Sequence, residues 1–382
     1  MRIRATLRRA ARLVLPATLL GAILRPGARV EERAGASLLL AAAWGEAYRR
    51  YRRGGLAQTA RERELLRTAS WEAFTRHYNE RVPTIEEEFD IWGAYHQHRH
   101  EMRYDLVGEA VRRHLPVGGA VLDIGCGSAL VADRILDMDA RYVGLDFPEH
   151  HVSYVSRRMA GAGGQLRTGF VRGDGALLPF GDQCFDVIVM SEVIEHLLRP
   201  EQAVWELSRV LRPGGVFIMT TNNASEVPLR SPLVNPLAWL EKALGAYRPA
   251  LISLRPWIWP WPVDPELLPP DAPPVYLPHT HHIYAETRDM FAAAGLEAFH
   301  FSTFEFPPPQ AAIARWLDGK GAGGRRAVDQ LERLCQALPL VNRLGCHMLV
   351  LSRKVGTPVA PAPPPGIWPG PFSDGSAVVA EA

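Results

Sequence analysis

From Ala120 onward the chain alternates short β-rich runs with helix-like stretches, and this rhythm restricts the fold more than any other feature. Strands are expected over Ala120–Ile124, Tyr142–Leu145, Gly169–Val171, Phe185–Met190 and Val216–Thr220. Helices are expected between them at about 128–138, 149–160 and 200–211. Such alternation implies parallel pairing in a doubly wound α/β sheet. The runs Val187-Ile188-Val189-Met190 and Val216-Phe217-Ile218-Met219 lack a polar face, as strands covered on both sides do. A helix near Thr287–Ala294, a strand near Ala298–Thr303, a helix at about 325–337 and a last strand over His347–Ser352 continue the pattern.

The first strand runs through Asp123-Ile124 into Gly125-Cys126-Gly127-Ser128-Ala129. Glycine serves where backbone must approach a ligand closely or adopt a positive φ, and a helix start beyond it offers unpaired N–H groups to an anion. A dinucleotide fingerprint would need glycine at position 130, which is Leu130, and Asp123 sits two residues before the first glycine. A nicotinamide dehydrogenase is therefore disfavoured. Asp146 ends the second strand, 19 residues after Gly127, where a carboxylate accepts both hydroxyls of a ribose. Asp174 follows the third strand beside Gly175, placed to take a hydrogen bond from an adenine amino group. One such aspartate would read as a cap or turn residue. Three acids ending successive strands mark a ligand at the carboxyl edge of the sheet.

On these residues the chain resembles the class I S-adenosylmethionine-dependent methyltransferases with a type 11-like core. Asp123–Gly127, Asp146, Asp174, Leu178-Pro179-Phe180, Phe185-Asp186-Val187-Ile188, Glu192-Val193-Ile194-Glu195-His196 and Leu211-Arg212-Pro213-Gly214-Gly215 carry the resemblance. It covers roughly 117–222 well and extends more loosely through 354. It implies a Rossmann-like, seven-stranded, mostly parallel sheet whose last strand inserts antiparallel between the fifth and sixth. It implies S-adenosylmethionine as cofactor, with Gly125 and Gly127 toward its methionine part, Asp146 toward the ribose and Asp174 toward the adenine. The full expected cofactor set is Asp123, Gly125, Cys126, Gly127, Asp146, Phe147, Asp174, Gly175 and Ser191.

The sulfonium methyl is already electrophilic, so the protein's work is alignment and exclusion of water. A hydroxyl acceptor must also lose a proton. His196 is the expected base and Glu195 its catalytic neighbour, because their segment follows the fourth strand. Glu192, Glu195 and His196 would also share one metal if the segment starts a helix or turn that brings positions i, i+3 and i+4 together, with His282 as a fourth ligand to Mg²⁺, Mn²⁺ or Zn²⁺. That set is similar to the metal sites of family branches that methylate ubiquinone-precursor hydroxyls or RNA 3′ ends. The same string also occurs without metal, where Glu195 and His196 pack or position the acceptor.

The expected organisation is a helical N-terminal extension (1–100), the cofactor-binding core (101–225), a Pro/Trp-rich lid or acceptor-binding insertion (226–286), completion of the sheet (287–354) and a disordered tail (355–382). Forty-three basic against 41 acidic residues give a net charge of +2, too even for a broad nucleic-acid-binding face. The four cysteines form no C-x-x-C pair, which disfavours a zinc ribbon or a dithiol redox site. No acid precedes Glu31, and arginines flank the apolar stretch Leu13–Leu24. Residues 1–30 thus read either as a helix packed on its own domain or as an amphipathic helix on a membrane. The leading expectation is cytoplasmic O-methylation of a small-molecule, sugar or lipid-linked acceptor, at the inner face of the membrane if residues 1–30 touch it. The alternatives are an RNA 2′-O-methyltransferase and a cofactor-binding module without turnover.

Overall fold

The computed structural model describes residues 94–197, 199–223, 261–262, 270, 276–277, 282, 284–306, 321–338, 341–343, 345–357 and 379–380. All belong to one compact unit, Glu62–Asn223 with Trp259–Ala382. The expected helical extension up to residue 93 and most of the Pro/Trp-rich segment lie outside the described residues, as does most of the tail.

The elements are α1 (Ala94–His114), β1 (Ala120–Ile124), α2 (Leu130–Asp133), β2 (Arg141–Asp146), α3 (Glu149–Met159), β3 (Arg167–Arg172) and β4 (Phe185–Ser191). They continue with α4 (Pro200–Val210), β5 (Leu211–Asn222), α5 (Tyr284–Ala293), β6 (Leu296–Phe304), α6 (Ala322–Ala337), β7 (His347–Lys354) and β8 (Val379–Ala380). The sheet order is β8-β3-β2-β1-β4-β5-β7-β6. β1 pairs in parallel with both β2 and β4, and β4 with β5. β7 enters antiparallel to both β5 and β6, so the expected reversed strand between the fifth and sixth is present. The two-residue β8 adds an antiparallel edge beside β3 that no sequence pattern announces. Separately, Trp261–Pro262 pairs with Tyr276–Leu277 within the Pro/Trp-rich segment.

Period-two alternation sorts the strand side chains into two cores. Val187 and Val189 join Val121, Tyr142, Phe170 and Ile218 against α1 and α3. Ile188 and Met190 join Leu122, Ile124, Phe217 and Met219 against α4 and α5. Each fully buried apolar side chain contributes roughly 1.5–3 kcal/mol, so a sheet covered on both faces is strongly held. Asp186 pins the start of the central pair, accepting the Ala120 N–H at 2.9 Å and pairing with Arg212. One helix is shorter than expected. α2 stops at Asp133, because Arg134 and Ile135 donate to carbonyls three residues back and tighten the chain into turns.

Candidate functional site

The cofactor side begins where β1 ends. Gly125 and Gly127 have φ of 71° and 48°, a region that favours glycine. Gly125 and Cys126 both donate their N–H to the Leu145 carbonyl, at 2.7 and 3.1 Å, so the turn is tied to β2. A Cβ on Gly125 would lie 2.3 Å from Val193 Cγ2, whereas a Cβ on Gly127 would meet nothing within 4 Å. Open space thus lies beside the second glycine and packed protein beside the first. The four-residue α2 is too short to supply the anion site expected at its start.

Asp146 is fixed at the end of β2. Its Oδ2 accepts the Gly127 N–H and its Oδ1 the Phe147 N–H, both at 2.7 Å. His151 Nδ1 stands 3.8 Å from Oδ2. Each carboxylate oxygen retains acceptor capacity beyond its one backbone bond. Asp174 accepts the Ala176 N–H at 2.8 Å, and Arg199 approaches its other oxygen at 3.4 Å. Burial raises the Asp174 carboxyl above its ordinary range, partly offset by those two partners. Gly175 lies close over β1, where a Cβ would come 3.0 Å from Ile124 Cγ2. Asp123 sits in the interior, 3% exposed, with the Tyr142 hydroxyl donating to it at 2.5 Å. Burial pushes its carboxyl up to about 7, with the Tyr142 bond opposing and Asp146 reinforcing the rise. Cys126 is buried and its thiol raised by that burial, so it is no nucleophile. Ser191 shares a hydroxyl–hydroxyl bond of 2.9 Å with Thr220, and Phe147 is half-buried.

The segment after β4 differs from expectation. Glu192 has φ 57° and donates its N–H to the Thr220 carbonyl, and only Ile194–His196 turn, as a 3-10 helix. Glu192 therefore does not share a helical face with Glu195 and His196. Glu195 is 1% exposed and accepts the Thr221 hydroxyl at 2.9 Å and the Asn222 amide at 3.4 Å. Burial pushes its carboxyl up to about 7, which the turn's backbone N–H and Thr221 partly offset. His196 is half-buried, and buried His282 bridges to Asn223 beyond the end of β5. Among the described residues no three His, Cys, Asp or Glu side chains are arranged to hold a metal ion, so the expected set of Glu192, Glu195, His196 and His282 is not assembled. Glu192 and Glu195 do meet through a side-chain hydrogen bond, but Arg103 and His347 hold Glu192 while Thr221 and Asn222 hold Glu195, and no third ligand joins them among the described residues, so the set does not fit a metal.

Sequence reasoning missed Arg103, Glu305 and His347, which surround Glu192. Arg103 and Glu305 are 202 positions apart, and no local pattern announces their meeting.

A glycine turn and acids ending successive parallel strands, all at one sheet edge, define a nucleoside-cofactor-binding α/β domain. Residues 122–219 match the family model described as a methyltransferase domain. That segment is a class I S-adenosylmethionine-dependent methyltransferase domain. A "probable S-adenosylmethionine-dependent methyltransferase" of Mycolicibacterium smegmatis is 38% identical over 156 residues, 41% of this chain and 54% of that protein. A demethylmenaquinone methyltransferase of Clavibacter sepedonicus is 33% identical over 115 residues, 30% of this chain and 46% of that protein. A sterol 24-C-methyltransferase of Aspergillus fumigatus is 30% identical over 166 residues, 41% of this chain and 44% of that protein. The chain spans about half the length of these relatives. The site fits the family's cofactor: Asp146 offers acceptors to a ribose diol, and the space beside Gly127 admits close approach.

Proposed function

We propose that the chain transfers a methyl group from S-adenosylmethionine to a hydroxyl of an apolar, lipid-linked small molecule. The observation that carries the reading is Asp146, whose two oxygens are aimed by the Gly127 and Phe147 N–H groups at the carboxyl edge of β2. A carboxylate so held orients a ribose at no further ordering cost. The bound cofactor supplies an electrophilic methyl. Asp146, Asp174 and the glycine turn hold it over β1–β3, which leaves the ends of β4 and β5 to the acceptor. Within this reading His196 lines the acceptor side, and the buried Glu195 is a positioning residue that ties the Ile194–His196 turn to β5.

The names of the Clavibacter and Aspergillus relatives speak for an apolar acceptor. The Aspergillus name also records methylation at carbon, so a C-methylated product is the second reading. The RNA reading loses its main support, because the metal set it required does not assemble among the described residues.

The test pairs binding with transfer. Asp146→Ala weakens S-adenosylmethionine binding more than tenfold by calorimetry, the loss of about 1.4 kcal/mol or more of charge-assisted hydrogen bonding. Tritiated S-adenosylmethionine given with source-cell extract labels the lipid fraction, and mass spectrometry of the product separates a methyl ether from a C-methyl group. Unchanged affinity in Asp146→Ala would sink the cofactor assignment. Label in RNA, or in no fraction, would sink the acceptor assignment.

A further inference from the structure

Four ionisable side chains meet beside the acceptor edge. Arg103 on α1 is buried, and its Nη2 donates to Glu305 Oε1 at 3.1 Å and to His347 Nδ1 at 3.3 Å. Arg103 Nε stands 3.9 Å from Glu192 Oε1. His347 Nδ1 lies 3.7 Å from Glu192 Oε2 and 3.5 Å from Glu305 Oε1. Three strands deliver these groups to one edge: Glu192 follows β4, Glu305 follows β6, and His347 opens the reversed β7.

The arrangement is costly. Glu192 and Glu305 have φ of 57° and 58°, two of the four positive-φ residues other than glycine among those described. The left-handed region costs roughly 1–2 kcal/mol per such residue. It persists where surroundings over-determine it, often at functional sites. Here the surroundings are visible. Glu332 of α6 accepts the N–H groups of Glu305 and Phe306, both at 3.0 Å, and clamps that turn. A purely structural cluster gains little from buried charge, since apolar side chains of equal volume often stabilise as well or better.

The cluster has an outer and an inner layer. The Glu192 and His347 side chains are 17% and 15% exposed, against 6% and 5% for Arg103 and Glu305. Among the described residues the inward atoms Glu192 Oε1 and Arg103 Nε have no hydrogen-bond partner, and 3.9 Å between them is too long for one, although the Glu192 carboxyl also meets that of Glu195. The Glu192 carboxylate is therefore oriented by its neighbours without being saturated by them.

We propose that Glu192 is the proton acceptor for the methyl acceptor, with His347 as its positioning neighbour, seated on Arg103 and Glu305. The inference rests on the methyl-transfer reading and moves to Glu192 the role the sequence suggested for His196. The acceptor oxygen attacks the methyl carbon, and the carbon–sulfur bond breaks with its electron pair leaving on sulfur. The hydroxyl proton passes to Glu192 and then to water, while the His347 ring, 3.7 Å from Glu192 and 3.5 Å from Glu305, tunes how readily the carboxylate takes it. A carboxylate and a sulfonium thus become a carboxylic acid and a thioether, so opposite charges in a half-buried site are both neutralised. Burial raises the Glu192 carboxyl above its ordinary range. Arg103 and His347 partly offset this, and Glu195 and Glu305 reinforce it, leaving the group more basic than a solvated glutamate. Two carboxylates against one guanidinium favour a neutral hydroxyl and repel an anionic acceptor.

The test uses the full chain. Glu192→Gln lowers methyl uptake into source-cell lipid extract by about 10²–10⁴-fold, the usual scale of general-base loss, while S-adenosylmethionine affinity stays within about twofold. The wild-type rate climbs with pH through one ionisation, and this limb vanishes in Glu192→Gln. His347→Gln, which leaves Glu192 and Arg103 in place, is the second variant and shifts that limb. The His347 ring, followed by NMR, titrates lower by about half a unit or more in Glu192→Gln, because a neighbouring negative charge is gone. Uptake within threefold of wild type in Glu192→Gln overturns the proposal, as does an unmoved His347 titration. So does loss of the pH limb in His196→Asn with its retention in Glu192→Gln. If wild type labels no fraction while it binds cofactor and His347 remains coupled to Glu192, the methyl-transfer reading has failed and the catalytic role of Glu192 falls with it.

Discussion

Alanine at the two glycines of the first turn should produce opposite failures. At Gly125 the φ of 71° costs an L-residue roughly 1–2 kcal/mol. The added Cβ would also lie 2.3 Å from Val193 Cγ2 and 3.3 Å from Val193 Cβ. Valine is stiff at χ1, so the side chain does not swing clear, and overpacking adds about 1–3 kcal/mol. Gly125→Ala therefore loses about 2–5 kcal/mol, or roughly 5–15 °C in the melting of a domain this size. At Gly127 the conformational term remains, but the space around the new Cβ is open. Gly127→Ala loses about 1–2 kcal/mol, yet its methyl occupies the cradle and S-adenosylmethionine affinity falls more than tenfold. Scanning calorimetry without cofactor and titration calorimetry with it read the two effects separately. Equal melting of both variants, or Gly127→Ala binding within twofold of wild type, would refute the reasoning.

Two further outcomes are expected. Asp123 and Glu195 are each pushed by burial to about 7, so the folded chain holds protons that the unfolded chain releases near pH 4. Their stabilising contribution is complete below pH 4 and is lost as the pH rises toward 7, by about 1.4 kcal/mol for each pH unit crossed in that interval. In urea melts, wild type should lose stability relative to Asp123→Asn and Glu195→Gln between pH 5 and 8; a difference that does not change with pH counts against it. Deleting residues 1–30 should abolish co-sedimentation with anionic vesicles, by removing the arginine-flanked apolar stretch; equal pelleting of both forms, or of neither, returns that segment to the packed-helix reading.

The sheet was legible because its signals are local. β1 falls on the expected Ala120–Ile124, and β2, β4 and β7 differ by one or two residues at their ends. The reversed β7 was not legible from periodicity and came only through the family resemblance. Asp146 and Gly127 were readable as a pair because a strand–turn–helix–strand unit fixes their spacing, and the structure joins them at 2.7 Å. The expected metal set is not assembled among the described residues: Glu192, with φ 57°, lies outside the Ile194–His196 turn, and Arg103 and His347 flank its carboxylate. The Arg103, Glu305 and His347 cluster was beyond sequence reading for a different reason. His347 lies 244 positions from Arg103, and each residue has an ordinary local role, in a helix, after a strand or at a strand start.

The reversal of β7 has a consequence for how such a protein diversifies. A strand running against its neighbours begins where they end, so its entering residue lands among their exits. The chain thereby writes the two halves of one working edge in separate passages. In the proposed reading, residues 123–174 hold the groups that face the cofactor, and residues 305–347 hold groups that come down on the other half. Substitution or insertion in the second passage can retune what is accepted without rewriting the first. A lineage can then change its substrates while keeping its methyl donor.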